Sequence, residues 1–281
     1  MTIEDALDVS QRSVSFREAE ILLAYTLKKD RSWLHAHPGT VLTASQAERY
    51  ETCLTRRETN EPVAYITGHK EFYGRPFLCD RRALIPRPET EGLIDRALAW
   101  AETQKDPVSI LELGTGCGNI AVTLAAELGQ RNICHSILAT DISAEALELA
   151  KANATALETP DITFVTADLF DHPLIQKLKP FALLIANLPY VPDTWKMDAA
   201  AQPDVVFFEP NVALFGGGDG LDIYRRFFHD APTYLAPESK LLIEFHEEQT
   251  KFIATMAEKA FPGKEIIIHQ DYAKLDRCLE M

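Results

Sequence analysis

The sequence predicts an α/β protein: a mostly parallel sheet flanked by helices, preceded by a helical domain and a β-hairpin linker. Three observations carry this. Residues 1 to about 70 show helical periodicity and no strand alternation. Residues 69–79 hold two short strand-like runs around a glycine. From residue 88 onward, apolar strand-like runs alternate with helical segments, as β-α units do when they build a parallel sheet with helices on both faces. The expected divisions are therefore 1–69, 70–87 and 88–281.

In the first division, segment 16–29 sets Ala19, Ile21, Leu22, Tyr25 and Leu27 near one helical face. Segment 44–59 reads as a polar helix behind the cap residue Thr43, broken at Glu61-Pro62 and followed by a short helix at 62–67. The linker follows, with strands His69–Gly74 and Pro76–Cys79 meeting around Gly74-Arg75, and then an irregular Pro86-Arg87-Pro88. In the third division a helix is expected at about 89–103, a buried strand at Val108–Leu113 and a helix at about 119–128. Strand Ser136–Thr140 leads to helix Ala144–Ala154, capped by Ser143. Strands Ile162–Thr166 and Phe181–Ala186 come next, then a helix at about 221–234 and strand Lys240–Phe245. A helix at 247–260 and an antiparallel pair, Lys264–His269 with about 274–279, complete the pattern.

Composition narrows the class. With 46% hydrophobic and 25% charged residues in 281, the chain can bury a large core unaided by disulfides or metals. No apolar run approaches the ~20 residues of a membrane span, and the first ten residues are acidic, unlike a secretory signal. The five cysteines are odd in number and lack C-x-x-C spacing, so neither a disulfide framework nor a metal site is expected, and the cytoplasm is the expected location. The net charge is −14; residues 1–80 carry 10 basic and 12 acidic side chains and the rest 18 and 30. Because neutralised phosphates dominate nucleic-acid affinity, so acidic a second half leans against a stable nucleic-acid partner.

Ligands of such sheets sit at the carboxyl ends of the strands, at the switch point of strand order. There lies Glu112-Leu113-Gly114-Thr115-Gly116-Cys117-Gly118. Glycines allow sharp turns and close approach. A dinucleotide site would want G-x-G-x-x-G, but Asn119 stands where its last glycine belongs. The pattern E-x-G-x-G-x-G resembles instead the first motif of the class I S-adenosylmethionine methyltransferases. Asp141, 27 positions after Gly114, ends the second strand with Ile142 beside it; its carboxylate suits both ribose hydroxyls, of this cofactor or of a dinucleotide. Asp168 follows the third strand, placed either as an adenine acceptor walled by Leu169 and Phe170 or as a plain cap. Cys117 reads either as a thiol activated at a helix N-terminus or as a small residue filling the loop.

The fourth strand ends in Asn187-Leu188-Pro189-Tyr190. The turn resembles the (Asn/Asp/Ser)-x-Pro-(Tyr/Phe) signature of methyltransferases that act on a nitrogen conjugated to a π-system. Such a nitrogen is a poor nucleophile, so its two N–H bonds need acceptors that aim it at the methyl. The Asn187 side-chain oxygen is one acceptor. The Leu188 carbonyl is the other, its direction restricted by Pro189. Together they stabilise charge developing on nitrogen, while Tyr190 offers a ring for the planar acceptor. An ordinary Asn-Pro turn is the plain alternative.

This turn alone does not choose between adenine and amide. Flanking segments do: Glu61-Pro62-Val63-Ala64-Tyr65-Ile66-Thr67-Gly68, Leu84-Ile85-Pro86-Arg87-Pro88-Glu89-Thr90-Glu91, and Glu209-Pro210 with Ala213-Leu214-Phe215-Gly216-Gly217 and Asp219-Gly220-Leu221. They resemble the PrmC/HemK family over roughly residues 16–279. The resemblance implies a Rossmann-like seven-stranded class I methyltransferase domain, a helical N-terminal domain that docks substrate, and a β-hairpin linker. It implies methyl transfer from S-adenosyl-L-methionine to N5 of the glutamine in the Gly-Gly-Gln motif of class I peptide chain release factors. A monomer is expected. Asn187, Leu188, Pro189 and Tyr190 would hold the glutamine, and Glu112, Gly114, Thr115, Gly116, Cys117, Gly118, Asp141, Ile142, Asp168, Leu169 and Asn187 the cofactor. Arg87, Glu89 and Glu91 would order the substrate wall, unless they merely begin a helix. The family's usual second residue in the Asn-Pro-Pro-Tyr turn is leucine here, and its usual Glu-Ile-Gly is Glu244-Phe245-His246. An adenine N6-methyltransferase and a non-catalytic cofactor-binding module are the competing readings.

Overall fold

The computed structural model describes residues 1–10, 14–197 and 203–281. The chain forms two compact units, Met1–His69 with Ala200–Phe208, and Lys70–Ala199 with Glu209–Met281.

The first unit is helical: α1 (Ile3–Ser10), α2 (Phe16–Leu27), α3 (Arg31–Ala36), α4 (Ala44–Glu58) and α5 (Val63–Thr67). Its starts are written in the sequence. Ser15 with Glu18, and Thr43 with Gln46, form reciprocal capping boxes that satisfy donors at the starts of α2 and α4. Ala19, Leu22 and Leu23 of α2 are fully buried against Leu34 and Tyr50. The helix α10 (Pro203–Phe208) also belongs to this unit, where Asp204 lies 3.9 Å from Arg57.

Next come β1 (His69–Phe72) and β2 (Arg75–Leu78), which from Lys70 onward belong to the second unit. The turn between them is Tyr73-Gly74, one residue earlier than expected. Both residues have positive φ, 50° and 71°, as a two-residue hairpin turn demands. A 3₁₀ turn over Pro88–Thr90 leads into α6 (Glu91–Ala101), then β3 (Val108–Leu113), α7 (Asn119–Gln130), β4 (His135–Asp141), α8 (Ala144–Ala156), β5 (Ile162–Thr166), α9 (Pro173–Leu178) and β6 (Phe181–Ala186). After α10 come α11 (Asn211–Leu214), α12 (Asp222–Asp230), β7 (Leu235–Glu244), α13 (Thr250–Ala260), β8 (Ile267–Gln270) and β9 (Asp276–Glu280).

The seven-stranded sheet has the order β5-β4-β3-β6-β7-β9-β8. All its pairings are parallel except those of β9 with β7 and β8. The order reverses at β3, which has β4 on one side and β6 on the other, so a crevice opens beyond their carboxyl ends. Central strands are apolar on both faces because helices cover both. Leu111, Leu113, Leu184 and Ile243 pack with Tyr224 and Phe227 on one face; Val108, Ile110, Leu183 and Ile185 pack with Leu93 and Ile94 on the other. Strand β7 starts earlier than expected, at Leu235. Its first residue pairs with Phe181 before the register shifts.

Candidate active site

A cleft of about 1020 Å³, open solvent at its mouth included, lies in the second unit at this crevice. Its floor is the turn after β3. Gly114 and Gly116 both have positive φ, 71° and 56°. At Gly114 a Cβ would lie 3.1 Å from Leu188 Cδ2, so glycine lets the two strand ends meet. The leucine of the Asn-Leu-Pro-Tyr turn is thus buried against the glycine loop. Gly118 starts α7 and presses it on α8, its own Cβ position being 3.1 Å from Ala150.

Asp141 stands at the end of β4. Its Oδ2 accepts the Gly116 N–H at 2.8 Å and its Oδ1 the Ser143 N–H at 2.9 Å. Each oxygen keeps a lone pair for a ligand hydroxyl. Burial raises its pKa above the usual carboxylate value. Just beyond the adjacent end of β5, Asp168 pairs with Arg226 at 2.8 Å, and both line the wall with Leu169. Ile142 is 53% exposed and forms an apolar wall.

Several expected residues lie behind the lining. Glu112 is 1% exposed and accepts the Thr115 hydroxyl at 2.8 Å; burial, the largest effect, pushes its carboxyl up to about 8. Its place is structural support of the loop, because β3 turns this side chain inward. Cys117 is also buried, and burial holds its thiol well above its ordinary pKa, so the activated-thiolate alternative fails. Phe170 does not wall the cleft: it is buried in the core, stacked on Tyr234 at 4.2 Å. Gly118 and Tyr190 likewise lie off the lining.

Asn187, Leu188 and Pro189 line the cleft opposite Asp141, directly beside the glycine loop. Asn187 Nδ2 donates to Thr90 Oγ1 at 3.2 Å, and Thr90 donates to Glu244 Oε2 at 2.7 Å. Tyr190 donates its hydroxyl to Glu244 Oε1 at 3.2 Å. Burial raises the pKa of both Glu244 and Tyr190; the Thr90 hydrogen bond and then Arg277 oppose it at Glu244, and Arg277 opposes it at Tyr190. The Tyr190 carbonyl accepts from Gln249 Nε2 at 2.9 Å. A Cβ at Gly220, whose φ is 77°, would lie 2.1 Å from that same carbonyl, and one at Gly216 would lie 2.5 Å from the Pro189 carbonyl. The glycines of the 216–220 loop therefore let that loop close on the back of the acceptor turn.

In the block Arg87 to Glu91, Arg87 lines the cleft and pairs with buried Glu209 at 2.5 Å. Glu209 also accepts the Ile85 N–H at 2.9 Å, fixing the 82–87 wall. Glu89 is exposed and off the lining, and Glu91 accepts the Tyr73 N–H. The 3₁₀ turn sends Thr90 inward instead, a residue the sequence reading passed over. Asn153 was missed as well. It is fully buried on α8, where it accepts from Leu78 N–H and donates to the carbonyls of Leu78 and Cys117, tying the linker to the glycine loop.

The sheet order, the glycine turn with an acidic residue ending the next strand, and an Asn-Leu-Pro-Tyr turn on the adjacent strand define a class I methyltransferase. Known proteins carry this further. The PrmC N-terminal domain model matches residues 3–68 and a methyltransferase domain model matches 104–279. Release factor glutamine methyltransferases of Koribacter versatilis and Cereibacter sphaeroides are each 39% identical over 87% of the chain, covering 86% and 83% of their own lengths. That of Bacillus subtilis is 35% identical over 93% of the chain and 89% of its own. The chain belongs to the release factor glutamine methyltransferase family. Among solved structures, the hMettl16 catalytic domain in complex with the MAT2A 3′UTR hairpin 6 shares the fold, with a TM-score of 0.55 at 15% identity over 84% of this chain and 80% of that one. No helix among the described residues is long and apolar enough to cross a membrane.

Proposed function

We propose that this chain methylates the side-chain amide nitrogen of the glutamine in the Gly-Gly-Gln motif of class I release factors, with S-adenosyl-L-methionine as donor. The observation that carries the reading is one cleft shared by the glycine turn with Asp141 and by the Asn-Leu-Pro-Tyr turn, in a chain of this family. Asp141 lines that cleft with its two oxygens held by the N–H groups of Gly116 and Ser143, a setting that suits the two hydroxyls of a ribose. The glycine backbone at Gly114 and Gly116, Asp141, Ile142, Asp168 and Leu169 would hold the donor. When bound, the donor supplies a sulfonium methyl group.

The acceptor side follows from the chain's own groups. The Asn187 side-chain oxygen and the Leu188 carbonyl accept the two N–H bonds of the glutamine amide, localising its lone pair and aiming it across the cleft. Burial of Leu188 against Gly114 sets the distance between the acceptor turn and the donor floor. Holding the pair in line supplies much of the rate, since effective molarities reach ~10⁵–10⁸ M. No general base is required if the proton leaves after transfer. The helical residues 1–69 dock the release factor.

The test is labelled S-adenosylmethionine with a release factor, a release factor whose Gly-Gly-Gln reads Gly-Gly-Ala, ribosomal RNA or DNA. Label is expected on the first alone; label on nucleic acid and none on the release factor would refute the reading. Asn187→Ala is expected to cut turnover by ~10²–10³ while leaving cofactor affinity nearly unchanged.

A further inference from the structure

Glu244 is an ionisable side chain only 1% exposed, and the chemistry above makes no use of it. It ends β7, whose Ile243 pairs with Ala186 of β6, so it stands level with Asn187. One of its oxygens accepts from Thr90 at 2.7 Å and the other from Tyr190 at 3.2 Å.

An asparagine amide has two ends of similar shape and opposite hydrogen-bonding sense. Only the oxygen end accepts an acceptor N–H. With the amide turned over, two NH₂ groups would face each other and the glutamine would be held off. The choice is made at Thr90. A threonine hydroxyl has a single proton, and at 2.7 Å that proton is committed to Glu244. A lone pair is what Thr90 then shows to Asn187, and it is satisfied by the NH₂ end at 3.2 Å. The oxygen end opposed to the same lone pair would lose the bond and meet repulsion.

We infer that Thr90 and Glu244 are positioning residues that keep the oxygen of Asn187 turned toward the acceptor, Glu244 steadying the Tyr190 end of the same turn. This rests on the amide-holding role of Asn187 given above. Thr90 lies in the segment 84–91 and Glu244 far along the chain at the end of β7, so the acceptor turn is oriented from two elements distant in sequence.

The experiment compares Thr90→Val, Thr90→Ser, Asn187→Ala and the Thr90→Val/Asn187→Ala double variant in steady-state methylation of a release factor. Thr90→Val is nearly isosteric and removes the hydroxyl; it is expected to lower kcat by about 5–30-fold, the equivalent of one hydrogen bond, with KM for S-adenosylmethionine unchanged. Thr90→Ser restores kcat to within about twofold. In the Asn187→Ala background, Thr90→Val produces no further loss, since the group it orients is gone. A Thr90→Val enzyme with wild-type kcat, or losses that multiply in the double variant, would overturn the inference while leaving an impaired Asn187→Ala to support the underlying reading. Wild-type turnover in Asn187→Ala would overturn both.

Discussion

Replacing Glu112 by glutamine tests the assignment of that residue as buried support. Glu112 sits on β3 with its carboxyl at about 8 in the folded protein, against an ordinary value of 4.5. Between those two pH values the folded state holds a proton that the unfolded chain has released. Unfolding free energy then falls by about 1.4 kcal/mol for each unit of rising pH. The sign follows from a raised acid: its contribution is fully present below 4.5 and lost as pH climbs through 8. Glutamine keeps the shape, can still accept from Thr115 and does not titrate. Every other ionisable group is common to both proteins, so the pH dependence of the rest of this −14 chain cancels in the difference. Urea unfolding of both proteins, followed by circular dichroism at pH 5.5, 6.5 and 7.5, gives that difference. The variant is expected to gain on the wild type by about 2.5 kcal/mol across those two units. Parallel curves, with the gap constant to about 0.5 kcal/mol, would refute a proton held at Glu112.

Two further outcomes are expected. Asn153→Ala strands the Leu78 N–H and the carbonyls of Leu78 and Cys117, so it should destabilise the protein by about 2–4 kcal/mol in the same urea assay; a loss under about 0.5 kcal/mol would contradict its role as a tie. Gly220→Ala places a methyl 2.1 Å from the Tyr190 carbonyl and should cost ~10²-fold in turnover by displacing the acceptor turn about 1 Å, with cofactor affinity by calorimetry little changed. Gly263→Ala, at a φ of 81° and with nothing within 4 Å, is the matched control for backbone strain.

What the sequence shows of this protein depends on how local the cause is. Strands Val108–Leu113, Ile162–Thr166 and Phe181–Ala186 could be read to the residue, because a compact β-rich run bounded by turn residues leaves little latitude. The caps Ser143 and Thr43 were legible for the same reason. Helix α9 was not: six residues are too few to show a period. The early start of β7 was hidden because Pro237-Glu238-Ser239 has the composition of a turn. At the site, the residues of the glycine turn and the acceptor turn stood out by type and spacing. Which of them face the cleft did not, since Phe170 and Cys117 differ from true lining residues only in where the packed helices turn them. The Thr90–Glu244 bond joins residues 154 positions apart and leaves no mark in either neighbourhood.

The placement of β9 bears on how the chain is made. The last strand in sequence is not at the edge of the sheet; it lies between β7 and β8, and it is the strand neighbour of β8. While the protein is being synthesised, β5 to β7 have their parallel partners available as they emerge, but β8 must wait with an open edge until residues 276–280 leave the ribosome. During that interval β7 also exposes a row of unpaired backbone groups, the kind of surface that recruits foreign strands. A chain truncated before Asp276 would carry that state permanently, with Glu244 at the end of an uncovered strand. The integrity of an acceptor turn at residue 187 is in this way tied to residues 276–280, synthesised long after it.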